Sequence, residues 1–376
     1  FMFVLFGSLL ESAGAGNYFI RTAFAGLGHM RGGPAKAAVV SSGMTGLVSG
    51  SSIANVVTTG TFTIPLMKKV GFSAEKAGAV EVAASTNGQL TPPVMGAAAF
   101  LMVEYVGISY VEVIKHAFLP AIISYIALVY IVHLEACKLG LKGMERTVTK
   151  TLAQKLLSFI MTILFIIIIG GATYYGLGWI KTVAGSATIY IVGLLLAAAY
   201  FVLIWLACKV PELELSHEIT ELPDLKETAQ AGYYFLLPVV VLMWCLTVER
   251  LSPSLSAYWA TILLIVIVLT QRPLKGMIRK ASGDEFSFKR GWNELIEGLI
   301  SGGRNMIGIG VATAAAGIIV GTVTLTGIGL VMTEFVEFIS GGNLILILVF
   351  TALISLILGM GLPTTANYIV VSTLMA

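Results

Sequence analysis

The chain has 376 residues, of which 57% are hydrophobic and only 11% charged, with a formal net charge of +3 and a mean hydropathy of +0.92. A soluble domain carries about 25% charged residues, so this chain cannot cover a water-facing surface and takes lipid as its solvent. The charge balance gives no case for nucleic-acid binding, and Cys137, Cys208 and Cys245 are spaced for neither a disulfide framework nor a metal site.

The chain opens at Phe1 inside one apolar run and ends at Ala376 inside another, YIVVSTLMA, without an initiator Met. It reads as an internal fragment of a longer polypeptide. A transmembrane helix needs roughly 20 apolar residues. Regular candidates are 112–136, 156–177, 185–208, 233–249 and 254–270, and less regular apolar stretches cover 1–10, 34–67, 74–107, 303–340 and 343–376. The linkers 138–155 and 271–291 are basic, whereas Pro211–Glu227 is mostly acidic. The positive-inside rule puts both basic linkers in the cytoplasm.

Arg31 and Lys36 precede the stretch 34–67, and Lys68, Lys69 and Lys76 follow it, so both flanks share the cytoplasmic side. The stretch is too long for one span and polar at its centre, which predicts a re-entrant helical hairpin. Residues 74–107 then cross outward and 112–136 return, landing 138–155 inside as its charges require. Four further spans lead to the basic loop 271–291.

Three polar clusters interrupt the apolar runs. Ser49, Gly50, Ser51, Ser52 and Asn55 sit at the middle of the hairpin. Thr86, Asn87, Gly88, Gln89, Thr91 and Pro92 lie inside 74–107, and Gly359, Gly361, Pro363, Thr364, Thr365 and Asn367 lie inside 343–376. Pro removes a backbone donor and Gly weakens a helix, so both long runs are expected to be broken helices. Unwound backbone in hydrocarbon is tolerated only when buried in protein or lining a cavity. Freed carbonyls and half-helix C-termini suit Na⁺, and half-helix N-termini suit a carboxylate. Small residues also permit close helix packing, but consecutive polar residues with Pro at the centre of an apolar run favour an ion and solute site.

The order hairpin then broken helix occurs twice. The first repeat is 1–136, with an arm at about 17–33, hairpin 34–67, broken helix 74–107 and helix 112–136. Residues 137–291 are scaffold-like spans and loops. The second repeat is 292–376, with an amphipathic arm at Trp292–Arg304, hairpin 303–340 and broken helix 343–376. There Thr322 and Thr324, within Gly321–Gly327, take the place of the first hairpin's polar cluster. An inverted repeat needs an odd number of crossings after 136, and four are counted; a fifth within 292–315 and a misjudged span both remain open. The expected fold is an all-α polytopic membrane protein with inverted repeats, two re-entrant hairpins and two broken helices.

The segments GGPAKAAVVSSGMTGLVSGSSIANVVTTGTFTIPLMKKVGF, STNGQLTPPVMGAAAF and GMGLPTTANYIV resemble the large membrane subunit of tripartite ATP-independent periplasmic (TRAP) transporters, in the form fused to the small subunit. The resemblance covers nearly the whole chain. It implies an elevator-type secondary importer of the ion-transporter class, taking small organic acids such as C4-dicarboxylates into the cell across a prokaryotic inner membrane. It implies Na⁺ as the coupling ion, no other cofactor, a periplasmic substrate-binding protein as partner, and a small membrane subunit fused ahead of Phe1. By the same resemblance, Ser49, Ser51, Ser52 and Asn55 form the first hairpin tip. Thr86, Asn87, Gly88, Thr91 and Pro92 form the first break, and Gly359, Gly361, Pro363, Thr364 and Asn367 the second.

Glu11, Glu81 and Glu104 are carboxylates in or near apolar runs, which makes them functional candidates. Glu104 reads as interfacial, and Glu81 either supports the Asn87 break, pairs with a Lys or is itself interfacial. Arg304 reads as an interfacial anchor, with attraction of an anionic substrate as the alternative, and Tyr174, Tyr175, Trp179, Tyr233 and Trp259 fit an aromatic belt. The chain has no P-loop pattern, and Gly50-Ser51-Ser52 lacks the setting of a nucleophile elbow. An intramembrane enzyme subunit and a channel-like or structural subunit are the alternative readings; the first needs titratable residues converging at mid-membrane, of which the sequence offers few, and the second has no need of paired broken helices.

Overall fold

The computed structural model describes residues 1–96, 98–144, 164, 171, 175, 176, 178, 179, 182, 183, 185–211, 222–280, 283, 286–360 and 364–375. Most of the expected span 156–177 and the acidic part of the linker at 211–227 lie outside these residues. Among the described residues every regular element is helical. Two compact units are formed, Phe1–Val94 with Ile114–Gly302, and Met95–Val113 with Gly303–Ala376.

The first unit begins with α1 (Met2–Ser12) and α2 (Ala15–Leu27), separated by Gly14 at φ 99°. Then come α3 (Gly33–Ser49) and α4 (Ser52–Lys69). Gly50 takes a left-handed conformation at φ 60°, which only Gly adopts without cost, and the Ser51 hydroxyl then caps α4 by accepting from the Ala54 N–H at 3.3 Å. Ser73 likewise caps α5 (Ala74–Gly88). Together α3 and α4 cover the stretch 34–67 as two helices joined by a tight turn.

Contacts fix the direction of these three helices. Ser42 meets Ser85, and four residues on Gly46 meets Gly88, so α3 and α5 run parallel. Thr63 and Thr59 meet Glu81 while Asn55 approaches Gly88, so α4 runs antiparallel to both. A core of small and medium side chains, including Ala35, Ala38, Met67, Ala77 and Ala84, joins them to Val132 and Ala136 of α7 (Tyr110–Lys138). The ion pair from Lys76 of α5 goes to Glu135 of α7. Small side chains let backbones approach closely where the hydrophobic effect gives helices no reason to associate.

The remaining helices of this unit include α8 (Thr188–Ala207), the short α9 (Leu225–Gln230), α10 (Leu237–Thr247) and α11 (Pro253–Arg279), which opens on Pro253 with Ser252 as its cap. Among the described residues three helices are long and apolar enough to span a bilayer: Tyr110–Lys138, Tyr190–Ala207 and Pro253–Arg279. Their apolar side chains are largely exposed, as at Ile123, Ile126, Ile131, Leu194 and Val266, which is the pattern of a lipid-solvated surface.

The second unit contains the short α6 (Ala98–Val106), which is the second half of the expected broken helix 74–107. The non-helical break between α5 and α6 holds Gln89, Thr91 and Pro92. Here the chain departs from the sequence reading. The arm Trp292–Arg304 is not a separate piece: α12 runs unbroken over Phe288–Thr326, through the arm and the first limb of the second hairpin. Its glycines leave every backbone hydrogen bond in place, and no Pro interrupts it, so nothing forces a break. Gly327, at φ 70°, then turns the chain into α13 (Ile328–Ser340). Gly341 and Gly342, both with positive φ, lead to α14 (Leu344–Gly359), capped by Asn343. The last helix is α15 (Thr364–Met375), whose Ala366 and Ile369 pack with Leu101 of α6 while Tyr368 stacks on Tyr105 at 6.2 Å.

A Cβ on Gly46 would stand 2.5 Å from the Cα of Gly88, a distance that only backbone separation relieves. Gly46→Ala is therefore expected to cost about 1–3 kcal/mol and to lower the thermal unfolding midpoint of the purified protein in detergent. Gly78→Ala, where an added Cβ meets nothing within 4 Å, is the control and should leave the midpoint unchanged or slightly raised. Equal midpoints for the two variants would mean that α3 and α5 are not held at backbone contact.

Candidate functional site

The candidate residues fall where three helix ends meet in the first unit. Ser51 and Ser52 open α4, Gly50 ends α3, and Asn87 and Gly88 end α5. The Gln89 side-chain amide donates to the Ser52 hydroxyl at 3.0 Å, so the hairpin tip and the first break touch directly. Asn87 accepts from Ser124 of α7 at 2.8 Å through Oδ1, and its backbone carbonyl accepts from the Thr91 hydroxyl at 2.9 Å. The side chain of Ser49 lies outside the described residues, and Thr86 is exposed with its hydroxyl turned back to the Val82 carbonyl.

Asn55 is the hub. It is 1% exposed, and its Nδ2 donates both to the Ser42 carbonyl at 2.9 Å and to the Ser42 hydroxyl at 3.1 Å. A backbone carbonyl can only accept, so the amide orientation is fixed and Oδ1 faces the other way. That oxygen is buried and has no hydrogen-bond partner. The second unit repeats the arrangement. Nδ2 of Asn367 on α15 donates to the carbonyl of Ser355 on α14 at 3.2 Å and to its hydroxyl at 3.3 Å, and again Oδ1 is buried without a partner. In each case an Asn on one helix clamps a Ser of the helix before it, across a turn or a break.

Glu81 lies on the far side of the same network. It is fully buried, and Thr59, Thr63 (2.5 Å) and Ser85 (3.3 Å) all donate hydroxyls to its carboxylate. Ser85 shares a hydrogen bond of 2.9 Å with Ser42, which closes a polar thread from Glu81 through Ser85 and Ser42 to Asn55. Glu81 is therefore no interfacial residue, and the nearby Lys76 serves Glu135 instead. Thr59 and Thr63 were missed from sequence, although Asn55, Thr59 and Thr63 at intervals of four mark one face of α4, as Glu81 and Ser85 do on α5.

Not every expected site residue converges. Thr322 is exposed near the end of α12, with its hydroxyl bonded to the Ile318 carbonyl of its own helix. The Thr324 side chain, Gly361 and Pro363 lie outside the described residues. Gly359 stands against Asn367, since a Cβ on it would be 3.1 Å from Nδ2, and Thr364 and Thr365 form the first turn of α15.

The profile of the family described as "Tripartite ATP-independent periplasmic transporter, DctM component" matches residues 1–192 and 186–376. This chain belongs to that family. It is 42% identical over 91 residues to the C4-dicarboxylate TRAP transporter large permease protein DctM of Vibrio cholerae, covering 24% of this chain and 20% of that one. It is 27% identical over 191 residues to the protein of the same description from Pseudomonas aeruginosa, covering 50% of this chain and 44% of that one. The relative from Rhodobacter capsulatus is 35% identical over 91 residues, 24% of this chain and 21% of that one. The matched stretch thus spans less than half the length of these curated relatives. Membership and the exposed apolar helices together make the chain a multi-pass membrane protein.

In this DctM-family chain the site offers neutral oxygens and helix ends. Carbonyl ends of α3 and α5 carry partial negative charge, and the start of α4 carries partial positive charge. Such a set can hold a small cation beside an anionic group without burying a fixed charge. Glu81 is the exception, a carboxylate kept inside by hydroxyls alone among the described residues. Removing its donors leaves a buried acceptor unsatisfied, so Thr59→Val with Thr63→Val should destabilise the protein by about 2–5 kcal/mol. Adding Glu81→Met to that pair should recover much of the loss, because both sides of the interaction then become apolar. Thermal unfolding midpoints of the three proteins check this; no recovery would mean that Glu81 is stabilised by something other than these hydroxyls.

Proposed function

We propose that this chain is the permease part of a Na⁺-coupled secondary importer that receives a small carboxylate from a periplasmic substrate-binding protein and carries it across a prokaryotic inner membrane. The relatives named as C4-dicarboxylate permeases support a dicarboxylate-like solute. A small membrane subunit, fused or separate, completes the assembly in this reading. The observation that carries it is the doubled Asn–Ser clamp: Asn55 on Ser42 and Asn367 on Ser355, each presenting a buried, unpartnered amide oxygen beside a turn or a helix break. A buried acceptor without a donor is costly, and a cation removes that cost.

In this reading α3 and α4 form a re-entrant hairpin, and α12 with α13 its counterpart. Both move with the broken helices as an elevator against the remaining spans. The parallel course of α3 and α5, with α4 packed antiparallel against both, supports the hairpin, because the chain enters and leaves on the side marked by Lys36 and Lys68. The solute carboxylate takes the N-terminus of a half-helix, and Na⁺ takes carbonyls and hydroxyls. No covalent step is required of the protein.

Uptake into vesicles that contain the full permease and its binding protein is expected to require an inward Na⁺ gradient. Asn55→Ala and Asn87→Ala are each expected to reduce uptake to background while the protein still inserts. Undiminished uptake in Na⁺-free buffer rejects the coupling, and full activity of both variants moves the site elsewhere.

A further inference from the structure

The start of α3 and the C-terminal half of α7 enclose a groove of about 470 Å³, lined by Lys36, Tyr125, Ile126, Val129, Tyr130 and His133. The five α7 residues fall at i, i+1, i+4, i+5 and i+8, so they form one stripe about 12 Å long on a single helix face. Lys36 and His133 stand at one end of the stripe. From Tyr130 back to Tyr125 the wall is aromatic and aliphatic.

The polar end carries positive charge without a counter-charge. Lys36 is 6% exposed, and its ammonium donates to Nδ1 of His133 at 2.9 Å. An ammonium can only donate, so Nδ1 accepts and the imidazole is neutral, with its proton on Nε2. That nitrogen lies 3.7 Å from Sγ of Cys137, and the same sulfur is 3.6 Å from a guanidinium nitrogen of Arg31. Two cations therefore stand at this end, and among the described residues neither has a carboxylate within ion-pair distance; Glu135 on α7 is taken by Lys76. A buried charge left unpaired is strongly destabilising. Two of the three ammonium hydrogens of Lys36 are without an acceptor among the described residues and are available to an anion.

We propose that this groove seats one anionic phospholipid of the cytoplasmic leaflet, its phosphate accepting from Lys36 and Arg31 and an acyl chain lying along Tyr130, Val129 and Ile126. Lys138 in the last turn of α7 and Lys142 beyond it mark the polar end as cytoplasmic, which is where the headgroup of a lipid in that leaflet sits. Ile126 is 64% exposed and Tyr130 60% exposed, so the apolar wall opens sideways to the bilayer. A soluble anion would answer the two cations and leave that wall unused. A zwitterionic lipid would bring a further ammonium to a site that already has two positive charges. The bound lipid supplies the charge that the protein omits and ties the entry of the first hairpin limb to α7.

The test uses the purified full-length permease, stripped of lipid in a mild detergent. It is titrated with phosphatidylglycerol, with phosphatidylethanolamine or with the water-soluble glycerol 3-phosphate, and the thermal unfolding midpoint is read. Phosphatidylglycerol should raise the midpoint, and the other two should do so far less. Lys36→Met and Arg31→Gln should each shift the half-effective phosphatidylglycerol concentration upward by at least about tenfold. Ile126→Trp, which fills the groove without touching either cation, should shift it in the same direction. Ile131→Trp, at an exposed apolar position of α7 outside the groove, should keep the wild-type curve. If Lys36→Met does not fold, Arg31→Gln and Ile126→Trp decide. Equal stabilisation by the two phospholipids, or wild-type curves for both Arg31→Gln and Ile126→Trp, overturns the inference. Stabilisation by glycerol 3-phosphate that equals that of phosphatidylglycerol and ignores Ile126→Trp gives the cations to a soluble anion and removes the lipid.

Discussion

A polar side chain inside a lipid-solvated helix bundle has no water to bond and must find its partner in the protein, and the contact of Asn55 with Ser42 is where that constraint shapes this molecule. One amide joins the two limbs of the first hairpin. Through Ser42 and Ser85 the same contact reaches α5 and the buried Glu81. The polar links work only because Gly46 and Gly88 allow α3 and α5 to meet backbone to backbone. A wider spacing would take Ser85 out of reach of Ser42.

The clamp recurs in the second unit with a different scaffold around it. Asn55 and Ser42 span a tight turn at Gly50, whereas Asn367 on α15 reaches back to Ser355 on α14. The shared chemistry is an amide nitrogen satisfied by a serine and an amide oxygen left over. Recurrence at two independent places argues that the leftover oxygen is what the arrangement provides rather than an accident of packing.

The helix boundaries over residues 34–88 were largely legible in the sequence. Lysines on both flanks of 34–67 and a polar centre marked α3, the turn and α4 to within two residues, and Pro92 marked the end of continuous helix after α5. The way the network closes was not legible, because it depends on which face of each helix meets which neighbour. Glu81 could be interfacial or buried on sequence grounds, and only the apposition of Thr59, Thr63 and Ser85 decides between them. The second half misled for a different reason. The amphipathic stretch Trp292–Arg304 reads as an arm separate from 303–340, yet α12 continues from one into the other through Gly302, Gly303, Gly308 and Gly310. Glycine's poor helix propensity is a preference measured against water; in hydrocarbon an unpaired backbone has no such alternative, so the helix persists.

Thr58 and Thr59 are neighbours on α4, about 100° apart around its axis, yet they meet different helices: Thr58 reaches Glu11 on α1, Thr59 reaches Glu81 on α5. Two carboxylates on different helices are therefore anchored to adjacent rungs of one helix. A roll of α4 about its axis cannot loosen one anchor and spare the other, because neighbouring residues turn together. Glu11 and Glu81 are in this sense geared to a common shaft.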